Sequence, residues 1–199
     1  MSEVSKEILN LIKEVIEIEG GFSNHPLDKG RKTKYGITEK LARAHFYKGE
    51  MEDLPFDFAV EVIIKEFVIP ANLQKIYKLS SKIAREILDT AVNTGLNRAG
   101  FFLQQGLNLF NRRGVLFKDL KTDGIIGEKT LDALTEFLKF RKDDTALVFD
   151  MNISQYNFYR LIASQEPNDD DEEFIIGWLE KRVLPIFKKH NTIQDSNVA

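Results

Sequence analysis

Apolar residues recur at helical spacing along almost the whole chain, and runs that alternate strictly between apolar and polar residues are rare. A period of 3.6 residues places apolar side chains on one face of a helix, whereas a strand requires a period of two. The sequence therefore predicts a mainly α fold. The predicted helices are 5–19, 39–48, 56–69, 82–94, 98–112, 128–140, 145–164 and 173–188.

Residues 20–38 interrupt this pattern with glycine, proline, asparagine, threonine and aspartate. Gly20 and Gly21 are expected to end the first helix, because glycine enters a left-handed C-terminal turn without steric cost. Thr38 is a typical N-cap for the helix that follows. Residues 34–38 are expected to pair as a short β-hairpin, so this segment should form a loop and hairpin beside the helices.

Composition excludes several classes of site. The chain has 199 residues, with 28 Lys and Arg against 31 Asp and Glu, and a formal charge of −3. This acidic balance disfavours nucleic-acid binding. Cysteine is absent, which excludes disulfides, thiolate zinc sites and iron–sulfur clusters. His25, His45 and His190 lack the spacing of a zinc site, so no metal and no cofactor is predicted.

The sequence also bears on location. The longest stretch without a charged residue, 99–111, is 13 residues long, short of the roughly 18 apolar residues that a membrane span needs, so we expect no stable membrane insertion. The N-terminus mixes Glu and Lys through its apolar residues, unlike a secretory signal. We therefore expect synthesis in the cytoplasm without a signal peptide.

Glu19 is the acid whose position is hardest to explain structurally. At 100° per residue it falls within the apolar stripe of the first helix, while Glu14 and Glu17 face the opposite side. Burial and the negative end of the helix dipole should both raise the pKa of this carboxyl group. A carboxylic acid that keeps its proton near neutral pH can act as a general acid, although a helix-end glutamate can also swing out or cap the backbone.

Asp28 follows Glu19 by nine residues, and Thr33 follows Asp28 by five. A chain that leaves the helix at Gly20 and returns through a hairpin can face Asp28 toward Glu19 across a cleft. Two carboxylates in different environments are the pair that glycoside hydrolysis uses.

Charge is distributed unevenly along the chain: residues 28–48 carry seven bases and two acids, whereas 143–180 carry ten acids and one base. These are either two solvated faces or a basic rim that attracts an anionic polymer.

The segment EGGFSNHPLDKGRKTKYGIT, residues 19–38, closely resembles the opening signature of the N-acetylmuramidases of glycoside hydrolase family 108. The resemblance implies a lysozyme-like fold in which Glu19 is the catalytic acid, and Asp28 and Thr33 are the assisting carboxylate and hydroxyl. Arg31 and Lys32 depart from the family pattern, which usually has glycine and a small residue there. Tyr35, Thr38 and Asn93 are predicted to contact the substrate.

The similarity continues through LDTAVNTG, residues 88–95, and FIIGWLEKR, residues 174–182. DGIIGEKTLDAL, residues 123–134, is similar to an element of peptidoglycan-binding domains, but the explanation we favour is a structural turn with Asp123 and Gly124 at its tip that leads into a helix. We accordingly predict a catalytic half at 1–95, a peptidoglycan-binding-like half at 96–188 packed on it, and a flexible tail at 189–199.

The resemblance implies a lysozyme that cleaves the β-1,4 bond between N-acetylmuramic acid and N-acetylglucosamine, an endolysin of phage type that acts as a monomer on peptidoglycan. It would reach the cell wall or periplasm through a holin or another export route. A lytic transglycosylase or a chitinase-like glycosidase remains an alternative. So does a non-catalytic protein that binds the wall or assists secretion. Sequence does not choose between an inverting and a retaining mechanism.

Overall fold

The computed structural model describes residues 4–24, 32–164, 176–177 and 179–180. Helices dominate this part of the chain, and the fold is mainly α and lysozyme-like, as predicted. The helices are α1 (Lys6–Glu19), α2 (Glu39–Ala44), α3 (Phe56–Ile63), α4 (Leu73–Leu79), α5 (Ser81–Thr94), α6 (Leu96–Phe110), α7 (Glu128–Arg141) and α8 (Thr145–Ser164), with β1 (Thr33–Lys34) and β2 (Ile37–Thr38) as an antiparallel hairpin between α1 and α2.

Side-chain caps fix where three helices begin. The Ser5 hydroxyl accepts a hydrogen bond from the Ile8 amide at the start of α1, and the Thr38 hydroxyl accepts from Leu41 at the start of α2. Each cap satisfies one of the backbone donors that a helix leaves unpaired at its N-terminus. At α5 the cap is Ser80, whose hydroxyl accepts from Ile83 at 3.1 Å and donates to Asp144 at 2.7 Å.

The second helix is shorter than the predicted 39–48, because α2 ends at Ala44. The Arg43 guanidinium donates to the backbone carbonyls of Tyr47 and Gly49 at 2.8 and 2.7 Å. Phe46 has a φ of +64°, which the right-handed helix does not allow. The chain therefore turns at His45 and Phe46, and the arginine holds the turn.

The predicted helix 56–69 is also altered. After Ile63 the chain continues as a π-helical turn over Ile64–Val68, in which the Ile69 amide bonds to the Ile64 carbonyl at 3.0 Å. Pro70 has no amide hydrogen for the carbonyl four residues earlier, so the regular helical ladder cannot continue there. A further helix, α4, follows and was not predicted. The predicted helix 173–188 lies almost wholly outside the described residues.

Helix α5 is the central element of the fold, and it packs against α1, α4, α6 and α8. Its apolar face is buried through Ile83, Ala84, Ile87, Leu88 and Ala91. It faces the buried stripe of α1, which consists of Ile8, Leu11, Ile12, Val15 and Ile16 as the helical period predicts. Since α5 touches helices from both predicted halves, its C-terminal end is a well-supported position for a functional side chain.

A buried polar cluster lies where α5 meets α8. It consists of Glu86, Thr90, Asn152 and Gln155, which are between 0% and 9% exposed. Burial raises the pKa of the Glu86 carboxyl group from 4.5 to about 8; the charge of Asp89 adds to the rise, while hydrogen bonds from Asn152 and Thr90 offset part of it. Glu86 is therefore protonated at neutral pH, which avoids the cost of a buried charge.

The element at residues 123–134 serves as an internal turn. The Gln104 amide accepts a hydrogen bond from the Gly124 amide at 2.8 Å and donates to the Ile125 carbonyl at 3.0 Å. A Cβ atom on Gly100 would lie 2.1 Å from the Gly124 carbonyl oxygen, so helix α6 and the turn touch through their backbones. These polar groups bind one another, as expected for a structural turn that leads into a helix. They hold the start of α7 against α6.

Candidate active site

Glu19 is the last residue of α1, and its partly buried side chain points toward α5. The Asn93 side-chain nitrogen Nδ2 lies 2.8 Å from Glu19 Oε1 and donates a hydrogen bond to it. The same nitrogen lies 3.4 Å from the backbone carbonyl of Asp89, one turn earlier on α5. The prediction that Glu19 faces inward is confirmed, since its side chain contacts an element 74 residues away in the chain.

The β-hairpin closes another side of Glu19. Thr33 pairs with Thr38 and Lys34 with Ile37, which leaves Tyr35 and Gly36 as a two-residue turn with φ values of +56° and +76°. Two successive positive φ angles characterise the turn that matches the twist of a hairpin. A Cβ on Gly36 would lie 2.5 Å from Val92 Cγ1 and 3.3 Å from Glu19 Cγ. Gly36 therefore lets the hairpin approach both Glu19 and α5, a contact that the spacing of these residues does not predict.

Thr33 lies in β1 and is held by backbone pairing on both sides. Besides its pairing with Thr38, it exchanges two backbone hydrogen bonds with Ser23, at 2.8 and 2.9 Å. The segment just after α1 is therefore tied to the hairpin. Asp28 lies outside the described residues. The structure thus places Glu19 and Thr33 in one region, and the roles of Asp28 and Thr33 stay predictions.

The three predicted substrate contacts occupy different positions. The Tyr35 ring is partly buried and meets Phe56 edge-on, with 5.5 Å between the ring centroids. The Thr38 hydroxyl caps α2, and the Asn93 amide contacts Glu19. Their contacts with a sugar stay predictions. A signal for the contact between Asn93 and Glu19 was present in the two motifs that contain them, but spacing alone does not give their distance.

The basic segment that follows Asp28 is partly neutralised by neighbouring acids. Lys32 pairs with Glu50 at 3.2 Å, and Arg43 pairs with Glu39 at 2.9 Å. The Lys34 ammonium group donates to the backbone carbonyl of Glu52. Surface ion pairs such as these contribute little to stability, but they reduce the net positive field of this face.

The described ranges contain no group of three or more His, Asp or Glu side chains arranged to hold a metal ion. Within the same ranges, none of the helices has the length and apolar character needed to cross a bilayer.

Comparisons with known proteins give one kind of match in structure and another in sequence family. The structure of Brucella abortus SagA is similar to this chain, with a TM-score of 0.67, 21% sequence identity and 91% of each chain covered. At this identity the likeness shows a shared fold. No curated protein sequence matches the chain.

Two family matches divide the chain between them. Residues 12–95 match the family described as Glycosyl hydrolase 108, and residues 98–183 match the family described as Predicted Peptidoglycan domain. The first match contains Glu19, the hairpin and Asn93. The chain therefore combines a glycosyl hydrolase 108 domain, which carries the candidate active site, with a C-terminal predicted peptidoglycan domain.

Proposed function

We propose that this glycoside hydrolase is an N-acetylmuramidase that cleaves the β-1,4 bond between N-acetylmuramic acid and N-acetylglucosamine in peptidoglycan. The observation that supports this most is the position of Glu19, which lies in the glycosyl hydrolase 108 domain between Asn93 and the hairpin turn. The adjoining peptidoglycan domain supports peptidoglycan as the substrate class.

In the proposed reaction, Glu19 donates a proton to the glycosidic oxygen as the bond breaks and positive charge develops on the sugar ring. A second carboxylate acts on the opposite face of the ring. Asp28 is the predicted second group, with Thr33 orienting it or a water molecule. Asp89, which lies one helical turn before Asn93, is the next candidate. A separation of about 6.5–9.5 Å between the two carboxyl groups would indicate inversion, and one of about 5 Å retention.

Digestion of purified peptidoglycan followed by mass spectrometry of the fragments tests the proposal. Fragments with reducing N-acetylmuramic acid ends indicate a muramidase, whereas anhydro ends indicate a lytic transglycosylase. Cleavage of chitin in preference to peptidoglycan would indicate a chitinase-like enzyme, and a protein that binds walls without releasing fragments would be non-catalytic. Each of these last three outcomes would refute the proposal.

The matched variants are Glu19→Gln and Glu17→Gln. Both lie on α1 and remove one carboxylate, but Glu17 is exposed to solvent. Glu19→Gln has no proton to donate, and the loss of general acid catalysis should lower the rate by about 10²–10⁴-fold. Glu17→Gln should keep the wild-type rate. Equal rates in the two variants would remove Glu19 from the mechanism.

We further propose that the enzyme serves as an endolysin that acts on the cell wall. Its partner would be the glycan strand, with delivery to the wall by a holin or another export route. Expression in a bacterial host with and without a co-expressed holin tests this. Lysis that requires the holin and fails with Glu19→Gln is the expected result, and lysis that is indifferent to Glu19→Gln would refute it.

A further inference from the structure

The orientation of the Asn93 amide follows from its two neighbours. Its nitrogen Nδ2 lies within hydrogen-bond distance of Glu19 Oε1 and of the Asp89 carbonyl oxygen. The carbonyl oxygen accepts hydrogen bonds only, and Glu19 Oε1 accepts whenever the carboxyl group is ionised. A flipped amide would place Asn93 Oδ1 against these two oxygens. Asn93 therefore presents its N–H groups, one of them to Glu19.

We propose that Asn93 is a positioning residue that holds the Glu19 carboxyl group and directs its proton to the oxygen Oε2. This inference rests on the proposed role of Glu19 as the general acid. In a protonated carboxyl group, the carbonyl oxygen is the better acceptor and the other oxygen carries the hydrogen. A donor at Oε1 makes Oε1 the carbonyl oxygen, so the proton that is transferred to the substrate leaves from Oε2.

The surrounding packing supports a positioning role. Asn93 stands near the end of α5, the helix that packs against α1, α4, α6 and α8, and it follows the buried residues Leu88 and Ala91. On another side, the close approach of Gly36 limits the space around Glu19 Cγ. Glu19 is thus held by a hydrogen bond and by steric contact. General acid catalysis requires the proton to be within hydrogen-bond reach of the leaving oxygen, which such restraint provides.

This role differs from the predicted substrate contact in what a variant should change. Loss of a substrate contact raises KM, whereas loss of an interaction that matters only in the transition state lowers kcat. We expect Asn93→Ala to lower kcat about ten- to hundred-fold, because the lost hydrogen bond is made to a carboxyl group that becomes charged as its proton leaves, and we expect KM to stay nearly unchanged.

The pH profile provides a readout that a purely structural role would not change. The rate of a general acid enzyme falls on the alkaline side, where the acid loses its proton. Without the Asn93 donor the carboxylate form is less stabilised, so this fall should move to higher pH in Asn93→Ala. Asn93→Asp preserves the shape but places a second carboxylate beside Glu19, and it should move the fall further upward.

The test measures kcat, KM and the pH profile of Asn93→Ala and Asn93→Asp on soluble peptidoglycan fragments, with thermal unfolding to confirm folding. Asn108→Ala is the matched control, because the partly buried Asn108, near the C-terminal end of α6, also donates from Nδ2 over 2.8 Å, to the backbone carbonyl of Leu120 beyond that helix. It should lower stability without changing kcat or the profile.

An unchanged pH profile in both Asn93 variants would overturn the inference, and so would a raised KM with normal kcat. Glu19→Gln is measured in parallel to separate this failure from failure of the proposed function. If Glu19→Gln is inactive while the Asn93 variants behave as wild type, only the positioning role is lost. If Glu19→Gln keeps full activity, the proposed acid is wrong as well.

Discussion

Replacing Glu86 with glutamine should stabilise the protein by an amount that grows with pH. Glu86 lies in the buried polar cluster between α5 and α8, where its pKa is raised from 4.5 to about 8. Below pH 4.5 both the folded and the unfolded chain hold this proton. Between pH 4.5 and 8 the folded protein retains a proton that the unfolded chain releases, so rising pH favours unfolding. Above about pH 8 both states have released the proton, and the free energy of unfolding falls no further on account of this group.

The size of the effect follows from the two pKa values. Each pH unit between them costs the folded wild type about 1.4 kcal/mol. Relative to pH 4.5, the loss from this one group is therefore about 3 kcal/mol at pH 7 and approaches about 5 kcal/mol above pH 8. Glutamine does not titrate, so the variant should not show this loss. The difference in melting temperature between the two proteins should widen by several degrees from pH 5 to pH 8.

Thermal unfolding of the wild type and Glu86→Gln at pH 5, 6, 7 and 8 checks this prediction. The comparison cancels the other titrating groups, and any constant difference between a buried acid and a buried amide is the same at every pH. Glu17→Gln, which removes an exposed carboxylate, should follow the wild type throughout. A stability difference between wild type and Glu86→Gln that stays constant from pH 5 to pH 8 would refute the reasoning.

Three further predictions concern the close contacts of Gly36 and Gly100 and the identity of the second carboxylate. Gly36→Ala should lower the free energy of unfolding by about 1–3 kcal/mol and remove most activity, because the added Cβ would lie 2.5 Å from Val92 Cγ1 and crowd Glu19. Gly21→Ala is the control: its Cβ would have nothing within 4 Å, so it should change little in unfolding and activity assays. Gly100→Ala should destabilise the fold more than Gly36→Ala does, since its Cβ would lie 2.1 Å from a backbone oxygen. Denaturant unfolding measures the difference, with Gly127→Ala as the control because a Cβ there would have nothing within 4 Å. Asp28→Asn should abolish most muramidase activity if Asp28 is the second carboxylate; if it is silent and Asp89→Asn is inactive, the second carboxylate lies on α5 instead.

Local physical chemistry made much of the helical fold predictable. The spacing of Ile8, Leu11 and Val15 identified the buried face of α1, because helical period relates residues within two turns of one another. The same spacing showed that Glu19 faces inward. Thr38 was recognised as a cap because its hydroxyl acts on a backbone amide three residues away. Fold class, hairpin and candidate acid therefore came from interactions over short stretches of chain.

Boundaries were less predictable where a side chain competed with helical continuation. Apolar periodicity extends past Ala44, but Arg43 holds a turn there and the helix ends. It also extends past Ile63, where Pro70 lacks the amide donor that a regular helix needs. For α5, the predicted start at residue 82 places the cap at Ser81, but the helix begins one residue earlier. Ser80 has the role, and its hydroxyl also bonds to Asp144, 64 residues away.

The sequence by itself determined the helical faces, the break after Glu19 and the family motifs, because each depends on residues near one another in the chain. Only the tertiary structure decided which residues meet Glu19 and which acid is buried. Asn93 reaches Glu19 because α5 packs against α1, and Glu86 is desolvated because α8 covers it. Both depend on how helices pack, and an amphipathic pattern specifies that a face is buried without specifying what lies against it.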